Sequence, residues 1–292
     1  MDFDENYIKN LLPKRAENSH KGTFGHVLNI AGSGFYSGAA YFSSVSPLRV
    51  GAGRCTLASG ETVLRSLAAL SPDIILLPLL ETKTKAISKN GFKSLELKLK
   101  EYDAISIGCG LSLDKVTAKF FEKFIMYSTT SQTPLVIDAD GLTLLSLNKK
   151  LELSLPPNTV LTPHPLELSR LLGVSVENIV QNQEFWAQKC CEKFHCTTVL
   201  KTNKTVVADY RGHLYLNNTG NSALAKGGSG DVLAGMITGF LAQGLKPFGA
   251  CVLAVYLHGK TGELASRDLS EYSVLASELL DYIPSAIKGL TE

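Results

Sequence analysis

Short apolar runs alternate along the chain with longer stretches whose apolar residues recur at helical spacing. The runs at 26–31, 54–58, 73–77, 104–107, 134–137, 159–161 and 197–200 predict strands with little polar interruption. Two further runs, 205–208 and 213–216, flank Asp209-Tyr210-Arg211-Gly212 and predict a hairpin. Helices are predicted over 39–50, 62–70, 93–100, 115–128, 142–147, 165–172, 176–194, 232–243, 249–268 and 274–288. Strands that are apolar on both faces, each followed by a helix, predict an α/β fold with a central, mostly parallel sheet covered on both sides. No Pro/Gly/Ser-rich linker, low-complexity tract or repeat divides the sequence, so residues 1–292 read as one domain.

Composition narrows the class. At 292 residues and 45% hydrophobic, the chain can bury the core of one large α/β domain. A net charge of +2 without a basic run gives no footprint for a nucleic-acid partner. No apolar run reaches the roughly 20 residues that a membrane-spanning helix needs, and the acidic start Met1-Asp2-Phe3-Asp4-Glu5 is not a secretory signal. The six cysteines form no C-x-x-C pair, which argues against zinc and points to reduced thiols in the cytoplasm.

In open parallel sheets ligands bind beyond the carboxyl ends of the strands, and that is where the chemical candidates fall. Gly227, Gly228 and Gly230 precede Asp231, which enters an apolar helix. The loop suits close backbone approach to a ligand, and the unpaired N–H groups of a helix start attract anions. Backbone at Gly228, Ser229 and Gly230 is therefore a candidate anion hole, and Asp231 a candidate base for a hydroxyl undergoing phosphorylation. The competing reading is an aspartate that merely caps a turn. Gly32-Ser33-Gly34-Phe35-Tyr36-Ser37-Gly38-Ala39 and Gly108-Cys109-Gly110 offer two more glycine-rich approaches. Neither fits the dinucleotide fingerprint, and no P-loop occurs. Asp138 and Asp140 follow a strand and either help hold Mg²⁺ through water or cap the next helix. Thr162-Pro163-His164-Pro165-Leu166-Glu167 fixes His164 between two prolines, with Pro165 at the first helical position. Lys201 to Thr205 place two lysines beside a turn shortly before the glycine loop.

Taken in order, these segments resemble the ADP/ATP-dependent NAD(P)H-hydrate dehydratases, a branch of the ribokinase-like superfamily. Lys21-Gly22-Thr23-Phe24-Gly25-His26, Tyr36-Ser37-Gly38-Ala39-Ala40, Leu48-Arg49-Val50-Gly51-Ala52-Gly53, Gly108-Cys109-Gly110-Leu111, Asp138-Ala139-Asp140, the segment 162–167 and the glycine loop 227–233 all match. The resemblance implies a three-layer ribokinase-like fold and a lyase that repairs hydrated NADH or NADPH. The hydrate hydroxyl would be phosphorylated by ADP or ATP with Mg²⁺ and the phosphate then eliminated. By matching motif, Ala39, Gly110, His164 and Asp231 would contact the hydrate, with Asp231 catalytic. Lys201, Thr202, Asn203, Lys204, Thr205 and Gly230 would contact the adenine nucleotide, and the metal ligands stay open. The resemblance further implies a homo-oligomer and cooperation with a separate epimerase. About twenty residues precede the first motif, so no fused epimerase domain is expected. Cys109 stands where proline is common, and Ser222-Ala223-Leu224 replaces a frequent Pro-Gly-Met. The alternatives are a ribokinase-like kinase for a hydroxymethylpyrimidine or hydroxyethylthiazole type of alcohol, and a silent ligand sensor that kept the pocket.

Overall fold

Successive residues of each strand point to opposite sides of the sheet, and here both sides are dry. Val27, Cys55, Leu57, Val136, Val160 and Val199 fill one core, while Leu28, Ala58, Ile105, Ile107, Leu135, Ile137 and Leu161 fill the other. The structure, a computed structural model, describes residues 4–292. In chain order its first half runs α1 (Glu5–Leu11), β1 (His26–Ile30), α2 (Ser37–Arg49), β2 (Arg54–Gly60), α3 (Glu61–Ala68), β3 (Ile75–Leu79), α4 (Phe92–Glu96), β4 (Ala104–Ile107), α5 (Lys115–Ser128), β5 (Leu135–Ile137) and α6 (Asp140–Leu147). There follow β6 (Thr159–Leu161), α7 (Pro165–Leu172), α8 (Val176–Gln181), α9 (Gln183–Phe194), β7 (Thr197–Leu200), β8 (Val206–Asp209), β9 (Leu214–Leu216), α10 (Ser229–Ala242), α11 (Pro247–Leu269) and α12 (Ala276–Thr291).

Among the described residues, nine strands form one sheet in the order β3-β2-β1-β4-β5-β6-β7-β8-β9. The first seven are parallel, and β8 and β9 continue antiparallel as the expected hairpin. Strand order reverses between β1 and β4, which opens the crevice where such sheets bind ligands. Residues of α2, α10, α11 and α12 pack in the first core and residues of α5, α7 and α9 in the second. The expected sandwich of helices around a mostly parallel sheet is what forms.

Several boundaries move for identifiable reasons. The third strand lies two residues later than 73–77, and it accepts Pro78 because β3 is the sheet edge and has one partner. The helix expected over 176–194 breaks at Asn182, whose φ of −144° and ψ of 66° are not helical. The helix expected over 93–100 is only the short α4 between two 3₁₀ turns. The sequence reading gave no helix at 5–11, where Asp4 caps α1 through the Tyr7 amide.

One contact does most to place the site. Helix α10 is almost wholly buried and lies against α2. Their approach depends on Gly235 and Gly239, spaced one helical turn apart. A methyl on Gly235 would collide with Ser46 Oγ, and one on Gly239 would lie 2.6 Å from Val50 Cγ2. Gly235→Ala is expected to lower unfolding free energy by about 1–3 kcal/mol, the usual cost of overpacking a core. Urea denaturation measures this, and an unchanged midpoint would contradict the close approach.

Candidate active site

Five loops that follow parallel strands meet at the carboxyl ends of the sheet: 32–36 after β1, 108–114 after β4, Asp138 and Ala139 after β5, 162–164 after β6 and 201–205 after β7. Hydrogen bonds between the loops fix their relative positions. Gly32 N donates to Cys109 O at 2.9 Å, Ser33 Oγ to Gly110 O at 2.9 Å, and Lys201 N to Pro163 O at 2.8 Å. Gly110, at φ +60°, packs so closely that an added methyl would lie 2.9 Å from Ala39 Cβ. Ala39 and Gly110 are thus neighbours across the β1/β4 crevice.

The glycine loop delivers Asp231 from the other direction. Gly228, at φ +94°, is the N-cap of α10 and supplies no capping side chain; the Ser229 amide donates to Lys226 O at 3.3 Å, and no side chain caps the first turn. The helix begins at Ser229, two residues before Asp231 and close to the expected start. Asp231 therefore sits in the first turn, and the simple capping role does not apply. A methyl on Gly230 would lie 3.4 Å from Lys201 Nζ, which places that lysine against the helix start.

Acidic groups crowd beneath it. Asp138 is buried, accepts from Lys201 Nζ at 2.6 Å and from Thr162 Oγ1 at 2.7 Å. Neither Asp138 nor Asp140 caps α6: the N-cap is Ala139, at φ +49°, and no side chain bonds there. Asp140 instead accepts the Ser112 amide at 2.8 Å, holding the loop after β4. Ligating atoms of Cys109, Asp138 and Asp231 lie within 4.8 Å of one another. Burial, reinforced by the charge of Asp138, raises the Asp231 carboxyl from 3.8 to about 6, although Cys109 and Lys201 oppose the shift. Burial would lower Lys201, but the charges of Asp138 and Glu167 override it and hold the ammonium above its usual range.

His164 has a double position. Its Nδ1 accepts from the amides of Leu166 and Glu167 at 3.2 and 3.3 Å, and Glu167 returns a bond to its backbone, so it caps α7 in a capping box. Pro165 occupies the first helical position as the sequence suggests. The half-exposed ring also lines a cavity of about 700 Å³. Burial lifts Glu167 to about 7, against the pull of Lys201.

That cavity lies between the loop after β7, the loop 217–225 and the start of α10. Lys201, Thr202, Asn203, Thr205, Ser229 and Gly230 line it. Lys204 does not; its exposed backbone closes the turn through Thr202 Oγ1. His258, on α11, also lines the cavity and was missed by sequence reasoning. The available signal was a lone histidine on a helix otherwise apolar toward the core. A second cavity, of about 660 Å³, contains none of the expected site residues.

The sequence matches the family described as NAD(P)H-hydrate dehydratase over residues 27–285. The chain belongs to that family. The ADP-dependent (S)-NAD(P)H-hydrate dehydratase of Bacillus subtilis is 34% identical over 98% of this chain and 97% of its own length. The bifunctional NAD(P)H-hydrate repair enzyme of Moorella thermoacetica is 36% identical over 98% of this chain, which spans about half (53%) of that relative's length. The Bacillus subtilis ADP/ATP-dependent NAD(P)H-hydrate dehydratase, co-crystallised with ATP/Mg²⁺, superposes with a TM-score of 0.84 at 32% identity, covering 99% of this chain and 98% of that one. A hydroxyethylthiazole kinase from Pyrococcus horikoshii shares the fold at a TM-score of 0.66 and 17% identity. The family assignment thus separates the chain from that fold-mate.

The donors near Asp231 suit Mg²⁺ only as an ion carried by nucleotide phosphates. Mg²⁺ takes oxygen ligands and keeps several waters, whereas Cys109 is a buried thiol held well above its usual range by burial. Asp138 already serves Lys201 and Thr162. Asp231, and Asp138 through water, are the carboxylates within reach.

The raised Asp231 carboxyl has a consequence for stability. It binds a proton more tightly folded than unfolded, so the folded state loses stability as pH rises from about 4 to about 6 and carries the penalty above that. Asp231→Asn removes the penalty. Its melting temperature is expected to exceed that of the parent by roughly 2–4 °C at pH 8, with the gain fading toward pH 4; calorimetry that finds a loss at pH 8 would contradict the assignment.

Proposed function

We propose that the protein dehydrates hydrated NADH or NADPH, using ADP or ATP to phosphorylate the hydrate hydroxyl and then releasing phosphate. The observation that carries this reading is Asp231: a carboxyl lifted to about 6 by burial, in the first turn of α10, which no side chain caps, and beside Lys201. A base works best when its pKa lies near the operating pH, and phosphoryl transfer is catalysed chiefly by positioning and charge stabilisation.

In this reading residues 1–292 act as one ribokinase-like domain. The cavity lined by Lys201, Thr202, Asn203 and Thr205 takes the adenine nucleotide, with its terminal phosphoryl group at the start of α10 beside Ser229 and Gly230. The hydrate lies over the crevice that the packed Ala39 and Gly110 close, and reaches toward His164 at the wall of the nucleotide cavity. Asp231 accepts the proton of the hydroxyl as its oxygen attacks the phosphoryl group, a contribution of about 10²–10⁴-fold. Lys201 and the helix start offset negative charge on the transferred group, the latter by up to ~2 kcal/mol. A Mg²⁺ ion bound with the nucleotide would neutralise further phosphate charge. After transfer, the ring nitrogen lone pair expels phosphate, a far better leaving group than hydroxide, and loss of a proton from the adjacent ring carbon to the departing phosphate or water restores the reduced nicotinamide.

This reading puts the protein in the cytoplasm, alongside its cofactor substrates and consistent with six free buried cysteines. It also supposes a homo-oligomer and a separate epimerase that supplies the reactive hydrate epimer. Among the described residues, no helix is long and apolar enough to cross a membrane.

The test is incubation with hydrated NADH or NADPH, Mg²⁺ and either nucleotide. Free phosphate and recovered nicotinamide absorbance are expected, whereas a stable phosphoester would indicate a kinase. Asp231→Asn is expected to lose at least 10²-fold in kcat while nucleotide affinity changes little. Retained turnover in that variant would remove Asp231 as the base.

A further inference from the structure

His258 is 7% exposed on α11, and the surrounding helix buries Leu253, Ala254, Val255 and Leu257. Burial lowers its ring to about 4, partly opposed by a hydrogen bond with the Ser229 backbone. The imidazole is therefore neutral across the physiological range, with one N–H and one lone pair. Its Nε2 lies 3.2 Å from Ser229 Oγ, and both residues line the 700 Å³ cavity. Ser229 is the first residue of α10, next to Gly230, where Lys201 Nζ also arrives.

Two arrangements satisfy this contact, and they have opposite consequences. If Nε2 accepts the serine proton, Oγ turns only lone pairs toward the cavity and repels a phosphate oxygen. If Nε2 carries the proton and donates to Oγ, the serine proton is free to point at an anion. The 3.2 Å contact accommodates either arrangement, so the choice between them falls to the charge that this end of the cavity favours. The start of α10, which no side chain caps, and Lys201 give the same end of the cavity a preference for negative charge, which favours the arrangement with the proton on Nε2.

We propose that His258 is a positioning residue of the nucleotide site, held as the Nε2–H tautomer so that the Ser229 hydroxyl donates to a phosphate oxygen of the adenine nucleotide. This rests on the nucleotide reading of the cavity given above. His258 touches neither reacting group; it acts through Ser229, so its loss affects nucleotide affinity more than the chemical step.

The test combines calorimetric titration with ADP–Mg²⁺ and ATP–Mg²⁺ and ¹⁵N NMR of the histidines of the full chain. His258→Leu is expected to raise Kd roughly tenfold or more, since a hydrogen bond to a charged group is lost, with a smaller change in kcat. His258→Gln, whose amide can donate from near the Nε2 position, is expected to recover most of the affinity. Ser229→Ala added to His258→Leu should cost little more, because the two residues act as one unit. The ¹⁵N spectrum of the unsubstituted protein is expected to show the Nε2–H tautomer, a readout that survives if a variant fails to fold. An Nδ1–H spectrum, or equal affinities in His258→Leu and the parent, overturns the proposal. Failure of the parent itself to bind either nucleotide would instead overturn the reading on which it rests.

Discussion

The ion pair between Lys201 and Asp138, at 2.6 Å, is what permits two acidic side chains to share a largely buried site. Asp138 lies at the end of β5 and Lys201 at the end of β7, two strands away across β6. Without the ammonium, Asp138 would be an uncompensated buried charge, a cost of several kcal/mol. With it, the buried Asp138 has a partner, and its proximity still pushes Asp231 upward. The lysine thus plays two parts: it stabilises the floor of the site and projects positive charge at the start of α10. Thr162 donates to the same Asp138 oxygen at 2.7 Å, and Cys109 Sγ to the other at 3.7 Å.

Positioning of Asp231 itself comes from packing far from the charges. Helix α10 can lie against α2 only because Gly235 and Gly239 present no side chain there. Helix α2 begins immediately after the loop that carries Tyr36, and that loop is tied to Gly110 through Ser33. The base, the crevice and the glycine-rich approaches therefore move as one body. Such preorganisation is how a protein supplies most of the help that phosphoryl transfer needs.

Much of this was legible in the sequence because each site segment follows a strand whose apolar run is unmistakable. Pro134 to Ile137 announces Asp138, and Thr159 to Leu161 announces His164. The glycine loop and Asp231 could be read as a helix start because Val232 to Leu241 is so apolar. What could not be read was distance in sequence turned into contact in space. Lys201 and Asp138 are 63 residues apart, and no local pattern predicts their pairing. His258 is separated from Ser229 by 29 residues and sits in an apolar helix that reads only as core. The fate of Asp138 and Asp140 was also open, since strand-end aspartates usually cap; here an Ala139 backbone at positive φ turns both side chains to other partners. The split of the long helix at Asn182 shows the same limit, for helical periodicity continues through a residue whose backbone does not.

Asp231 is a buried carboxyl poised to take a proton near neutral pH. The most direct measurement is the pH dependence of kcat/KM for the unsubstituted protein with hydrated NADH and saturating nucleotide. An acid limb with an apparent pKa of about 6 is expected, below which the rate constant falls tenfold per pH unit. A profile that stays flat down to pH 4.5 would contradict it.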